Sequence, residues 1–106
     1  MARVVALAPD LFFASKIDET LSAAGHDVTV VSRAEAVPDG AELMIVDLDQ
    51  VEPALELPPG VPVLAFYSHV DVEKRRRGER AGFALVVPRS RMAREMPVLV
   101  EQLLGR

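Results

Sequence analysis

Along the chain, short unbroken apolar runs alternate with stretches whose apolar residues recur every three or four positions. Arg3 to Ala8 is a valine-rich run stopped by Pro9-Asp10, the pattern of a strand buried on both faces of a parallel sheet. From Leu11 to Ala24 the residues Phe13, Ile17, Leu21 and Ala24 share one helical face, with Asp10 placed to cap the amino end and Gly25 to stop the carboxyl end. Val28–Val31 and Leu43–Leu48 predict the second and third strands, the latter closing on the carboxylate of Asp47. Between them Ser32 to Glu42 leaves room for one or two helical turns, interrupted by Pro38-Asp39-Gly40. Asp49 to Leu57 predicts a brief third helix, held short by Pro53 within it and Pro58-Pro59-Gly60 after it. Val61–Tyr67 predicts a fourth strand, Asp71–Ala81 a charged fourth helix ended by Gly82, Phe83–Val87 a fifth strand and Arg91–Leu104 a fifth helix.

Five strand–helix units in succession imply a parallel sheet with right-handed crossovers and helices on both faces, with the second and third helices shortened. The segments Val4–Leu7, Leu43–Val46, Val63–Phe66 and Leu85–Val87 are expected to supply the central sheet. Half of the 106 residues are hydrophobic, enough for one domain spanning 1–106 to bury a core without metals or crosslinks. The absence of cysteine excludes disulfides, thiolate metal sites and a thiol nucleophile, and suits a reducing cytosol. No apolar run approaches the roughly 18–20 residues of a membrane span, and the Met1-Ala2-Arg3 start leads to no cleavage site, so a cytoplasmic protein is expected. No G-x-G-x-x-G or Walker loop follows any strand, which removes motif support for dinucleotide or P-loop nucleotide binding.

The net charge of −4 conceals an asymmetry. Up to Val70 there are three basic residues against eleven acidic ones; from Asp71 onward there are nine against five. Lys74, Arg75, Arg76, Arg77 and Arg80 make the fourth helix basic over most of its circumference, and Arg89, Arg91 and Arg94 extend the positive surface. Glu73 and Arg77 have attractive helical spacing while Arg76 and Arg80 repel, so intrahelical pairing does not account for so much positive charge. The acidic total and the absence of a helix-turn-helix signature argue against nucleic acid as the main partner. His26 and His69, the two histidines, lack metal-ligand spacing and read as surface loop residues, and Ser68-His69 lacks the context of a nucleophile and its base. Phe12, Phe13, Phe66 and Phe83 read as packing residues, Phe12 being the one that could stand exposed beside the strand ends.

The order of these features resembles the CheY-like receiver domain of response regulators over essentially the whole chain. Leu21 to Val28 (Leu-Ser-Ala-Ala-Gly-His-Asp-Val) resembles the family's passage from first helix to second strand, and Ile45-Val46-Asp47-Leu48 the strand bearing the phosphorylated aspartate. Pro62 to Ser68 resembles the fourth strand, and Arg80-Ala81-Gly82-Phe83-Ala84 through Pro88-Arg89 the approach to the family's Lys-Pro. The resemblance implies a three-layer αβα fold of flavodoxin-like strand order and a regulatory role, with no enzymatic activity. It places Asp47 at the phospho-acceptor position. Ala8 and Pro9, however, stand where the family has the acidic pair that holds Mg²⁺, and Asp10, one residue on, could compensate only through a shift of the loop. Tyr67 takes the place of a small hydroxyl residue, with Ser68 beside it, Arg89 replaces the lysine and Ser90 its proline.

Phosphoryl transfer to a carboxylate needs a cation to neutralise and orient two anionic groups. The expected function is therefore a stand-alone pseudo-receiver that acts by binding a protein partner or a second copy through the surface from the fourth to the fifth helix, without cofactor. Two alternatives remain open: phosphorylation of Asp47 with Mg²⁺ on Asp10 and Asp47, Ser68 and Arg89 serving as switch residues, or a small-molecule sensor at the strand ends. Asp47, with Asp10 and Asp49 near it, could equally serve to cap a helix or to pair with Arg89.

Overall fold

The three central apolar runs become strands because each can bury both faces at once, while the second and fifth lie at the edges and stay partly exposed. The computed structural model describes residues 2–51, 57–68 and 72–105, apart from the side chains of Val72 and Lys74. The strands are β1 (Arg3–Leu7), β2 (Asp27–Val31), β3 (Leu43–Asp47), β4 (Val63–Tyr67) and β5 (Leu85–Pro88). They form one parallel sheet in the order β2-β1-β3-β4-β5. The helices are α1 (Leu11–Ala23), α2 (Val72–Arg80) and α3 (Arg89–Leu104).

The two-residue pleat divides the core between the two faces of this sheet. Val4, Ala6, Ile45, Leu64, Phe66 and Val87 face α1 and α3, meeting Phe13, Ile17, Leu21, Met92 and Met96. Val5, Leu7, Met44, Val46, Ala65 and Tyr67 face the other way. There Gly78 brings α2 close to the sheet: a Cβ on it would stand 3.1 Å from Val86 Cγ2 and 3.3 Å from Leu48 Cδ1.

The first helix has the caps its sequence predicts, with Asp10 accepting hydrogen bonds from the Phe12 and Phe13 amides and Gly25 beyond its end in a left-handed conformation at φ 93°. The β2–β3 crossover is abbreviated as expected, holding a single 3₁₀ turn at Ala34–Ala36. Most of the anticipated third helix, 52–56, and the expected start of the fourth, Asp71, lie outside the described residues. The last helix begins two residues earlier than its periodicity predicts. Pro88 both ends β5 and serves as the N-cap of α3, so Arg89 is already helical.

Pairing aligns the strand ends. Leu7 is opposite Val46, Asp47 opposite Phe66 and Tyr67 opposite Pro88, which collects the residues that follow β1, β3, β4 and β5 along one edge of the sheet.

Candidate functional site

Asp10, Asp47, Asp49, Ser68 and Arg89 all come to that edge, and each is held there by a different local cause. Asp10 is fixed by its capping role: Oδ1 accepts from the amides of Phe12 at 3.0 Å and Phe13 at 3.5 Å. Its Oδ2 accepts from a guanidinium nitrogen of Arg89 at 2.8 Å. Arg89 lies 4.3 Å over the ring of Phe13, which in turn packs against Phe66 at a centroid separation of 4.7 Å. The cation is thus seated by a carboxylate on one side and an aromatic face on another.

Asp47 closes β3 with no solvent exposure. Its Oδ1 accepts from the Asp49 amide at 2.9 Å, closing the turn after the strand, while among the described residues its Oδ2 has no hydrogen-bond partner. Asp49 is tied to the next strand, its Oδ2 accepting from both the amide and the hydroxyl of Ser68.

Of the two roles anticipated for Asp47, capping a helix and pairing with Arg89, the structure shows a turn-closing hydrogen bond in place of the first and corrects the second. Arg89 goes to Asp10, since as the first residue of α3 it is set beside the start of α1 by the contact between those helices. Tyr67 does not face the site, because the pleat turns it into the apolar cluster on the α2 side. Ser68 is the hydroxyl at this edge, and it is engaged by Asp49.

The same arrangement shifts the two carboxyl groups in opposite directions. Arg89 beside Asp10 holds that group below the ordinary aspartate range, helped by the two helix amides and opposed by partial burial. Burial pushes Asp47 up, the charges of Asp49 and Asp10 add to the rise, and the Asp49 amide and Arg89 oppose it. Asp10 should therefore titrate below a free aspartate, and its contribution to stability, present at neutral pH, should be lost as the solution is acidified through its folded-state midpoint. A carboxyl-carbon NMR titration should show that midpoint rising in Arg89→Gln; an unmoved midpoint would contradict the pair.

These donors do not suit a divalent cation. Mg²⁺ asks for octahedral oxygen ligands, usually including one or two carboxylates free to turn toward it. Asp10 is committed to Arg89 and the helix amides, Ala8 and Pro9 bring no side-chain oxygen, and one oxygen of Asp47 is used in its turn. Among the described residues no group of three acidic or histidine side chains could hold a metal.

The basic helix is more compensated than its sequence suggests. Arg75 pairs with Glu79 at 3.3 Å, Arg80 with Glu73 at 3.0 Å, and Arg91 and Arg94 both with Glu95, at 3.4 and 3.1 Å. Arg76 and Arg77 are exposed on α2, whereas the side chain of Lys74 is outside those described. Such exposed pairs are individually weak, so the surface stays positive while its arginines are partly ordered.

His26 is the clearest correction. It is buried, 6% exposed, with Nδ1 accepting from the Ala2 amide at 3.3 Å and Nε2 2.9 Å from Glu101 on α3. A position just after a helix-ending glycine suggested a loop, and only the return of α3 past that turn covers it. His69 lies outside the described residues. Phe12 does stand exposed, at 91%, while Phe13 has a role beyond packing as the seat of Arg89. The sequence signal for that role is slight: Phe13 follows the capping Asp10 by three residues, one turn along the same helix.

The fold is that of response-regulator receiver domains of the CheY-like type. A response regulator from Thermotoga maritima superimposes with a TM-score of 0.83 at 14% identity, over 100% of this chain and 99% of that one. The non-phosphorylated HemR receiver domain from Leptospira biflexa gives 0.79 at 18% identity, over 100% and 96%. A CheY-like response regulator from Mesorhizobium loti gives 0.77 at 18%, over 93% and 95%. No family model matches the sequence, and no curated protein does. Among the described residues no helix is long and apolar enough to cross a membrane.

Proposed function

We propose that the protein is a receiver-like signalling domain of the cytoplasm that regulates by binding a protein partner, without phosphorylation of Asp47 and without catalysis of its own. The observation that carries this reading is the Arg89–Asp10 pair seated on Phe13. The chain's own guanidinium neutralises the carboxylate that follows β1, in a fixed geometry, so the strand ends hold a resident cation. Attack by Asp47 on a phosphoryl donor would need an ionised carboxylate and a second cation to screen it. Burial opposes that ionisation.

The docking surface in this reading runs from α2 across β5 to α3, presenting Arg75, Arg76, Arg77 and Arg80 together with Arg91 and Arg94, and it suits an acidic partner. Phosphorylation of Asp47 is the competing reading, supported by its Oδ2 at the strand end, which has no hydrogen-bond partner among the described residues.

Amide NMR of the full chain, titrated with Mg²⁺ and then with beryllofluoride as a phosphoryl mimic, separates the two. Amides of Asp10, Asp47 and Ser68 are expected to stay in place at millimolar Mg²⁺. Saturable shifts that spread from them to α2 and vanish in Asp47→Asn would establish a working phospho-switch in place of the constitutive module.

A further inference from the structure

We propose that a second site at the carboxyl edge of the sheet, on the face that carries Leu7 and distinct from the Asp10–Arg89 pair, binds a small organic acid with an apolar body in the cleft left by the abbreviated β2–β3 crossover. The sheet order reverses its winding between β1 and β3, and open parallel sheets receive ligands outside the carboxyl ends of their strands at such a point. With only the 3₁₀ turn at Ala34–Ala36 in the crossover, a cleft of about 320 Å³ remains there, between the turn after β2 and the turn after β3. That volume sits at the lower end of the range for small-molecule sites, roughly 300–1,000 Å³, and so suits a compact ligand.

The lining has two chemical zones. Leu7 and Val51, both buried, and Ala34 give it an apolar floor and wall. Ser32, Arg33, Glu35 and Gln50 form a polar rim. Asp10, Asp47, Ser68 and Arg89 do not line it, although Gln50 and Val51 belong to the turn that Asp47 starts.

Arg33 is the group that specifies the ligand's charge. Arg75, Arg80, Arg89, Arg91 and Arg94 each meet a carboxylate of the protein, whereas the Arg33 guanidinium has no hydrogen bond or ion pair among the described residues. A planar fork at the mouth of an apolar cleft matches a carboxylate bidentately. Glu35 on the same rim sets the limit: it repels a second negative charge, which disfavours phosphates and diacids and leaves a monocarboxylate as the matching class.

The test is an amide NMR titration of the full chain with benzoate, and in parallel with benzyl alcohol and benzylammonium, on the wild type, Arg33→Gln and Glu35→Gln. Both substituted residues are exposed, and the spectra themselves report whether each variant is folded. Benzoate is expected to move Leu7, Ser32, Arg33, Ala34, Gln50 and Val51 saturably and to bind more tightly than either analogue. Losing one solvent-accessible charge-assisted contact in Arg33→Gln should weaken it about fivefold, and Glu35→Gln should tighten it about twofold. Three results would overturn the proposal: no saturable shift in these residues, equal affinity in Arg33→Gln, or preference for benzylammonium.

Discussion

Replacing Phe66 with alanine should lower the stability of the fold by about 3–5 kcal/mol, a large share of the roughly 5–15 kcal/mol available to a domain of this size. The ring is fully buried at the centre of the sheet and packs against Phe13. Its removal deletes apolar surface and opens a cavity between β4 and α1 that the flanking strands cannot close. The loss should also reach the strand-end site, because Phe13 supports Arg89 as well. Urea denaturation would give the stability change. In a variant that still folds, the guanidinium NMR signal of Arg89 should move toward that of a free arginine. A change below about 1 kcal/mol would mean that the site collapses around the gap, contrary to the packing described.

The second expectation has the opposite sign. Asp47→Asn should stabilise the protein by about 1–3 kcal/mol at pH 8, the usual scale for a buried polar group without its partner, and by close to nothing near pH 4. The asparagine keeps an oxygen to accept from the Asp49 amide and puts an uncharged amide nitrogen in place of the oxygen that has no partner among the described residues. Because the folded-state pKa of Asp47 is raised, the folded protein prefers the protonated acid. Stability from this residue is complete below its unfolded-state pKa and is lost as pH rises through the folded-state value. The two stability curves should therefore run together in acid and separate toward alkaline pH, with the variant above. A gap of constant size from pH 4 to pH 8 would show that ionisation of Asp47 is not its source.

Much of the fold was legible because parallel strands buried on both faces leave continuous apolar runs, and because α1 carries local stop and start signals in Asp10 and Gly25. The placing of Asp10 and Asp47 at the strand ends was legible for a similar reason, since Asp10 follows β1 closely and Asp47 closes β3. What depended on distant pairing was not. Arg89 and Asp10 are 79 residues apart, and nothing local to either indicates that the guanidinium turns to Asp10 instead of Asp47. His26 and Glu101 are separated by 75 residues, so burial of the imidazole depends on where α3 ends up. Tyr67 failed on register. The resemblance set Tyr67 at a hydroxyl position, but the pleat assigns Tyr67 and Ser68 to opposite faces, so the hydroxyl that reaches this edge is that of Ser68, which donates to Asp49.

The third helix is fastened to the amino-terminal part of the chain at both ends. Near its start Arg89 holds Asp10, just beyond β1; near its end Glu101 meets His26, which takes the amide just before β1. The 16 residues between and around these ties form a rod of about 24 Å, with Met92, Met96, Leu99 and Val100 buried along it. In hydrogen-exchange kinetics, β1 and α3 should therefore behave as one cooperative opening unit despite standing at opposite ends of the sequence. Cutting either tie should turn that single event into two, with the freed end of the helix exchanging ahead of the strand.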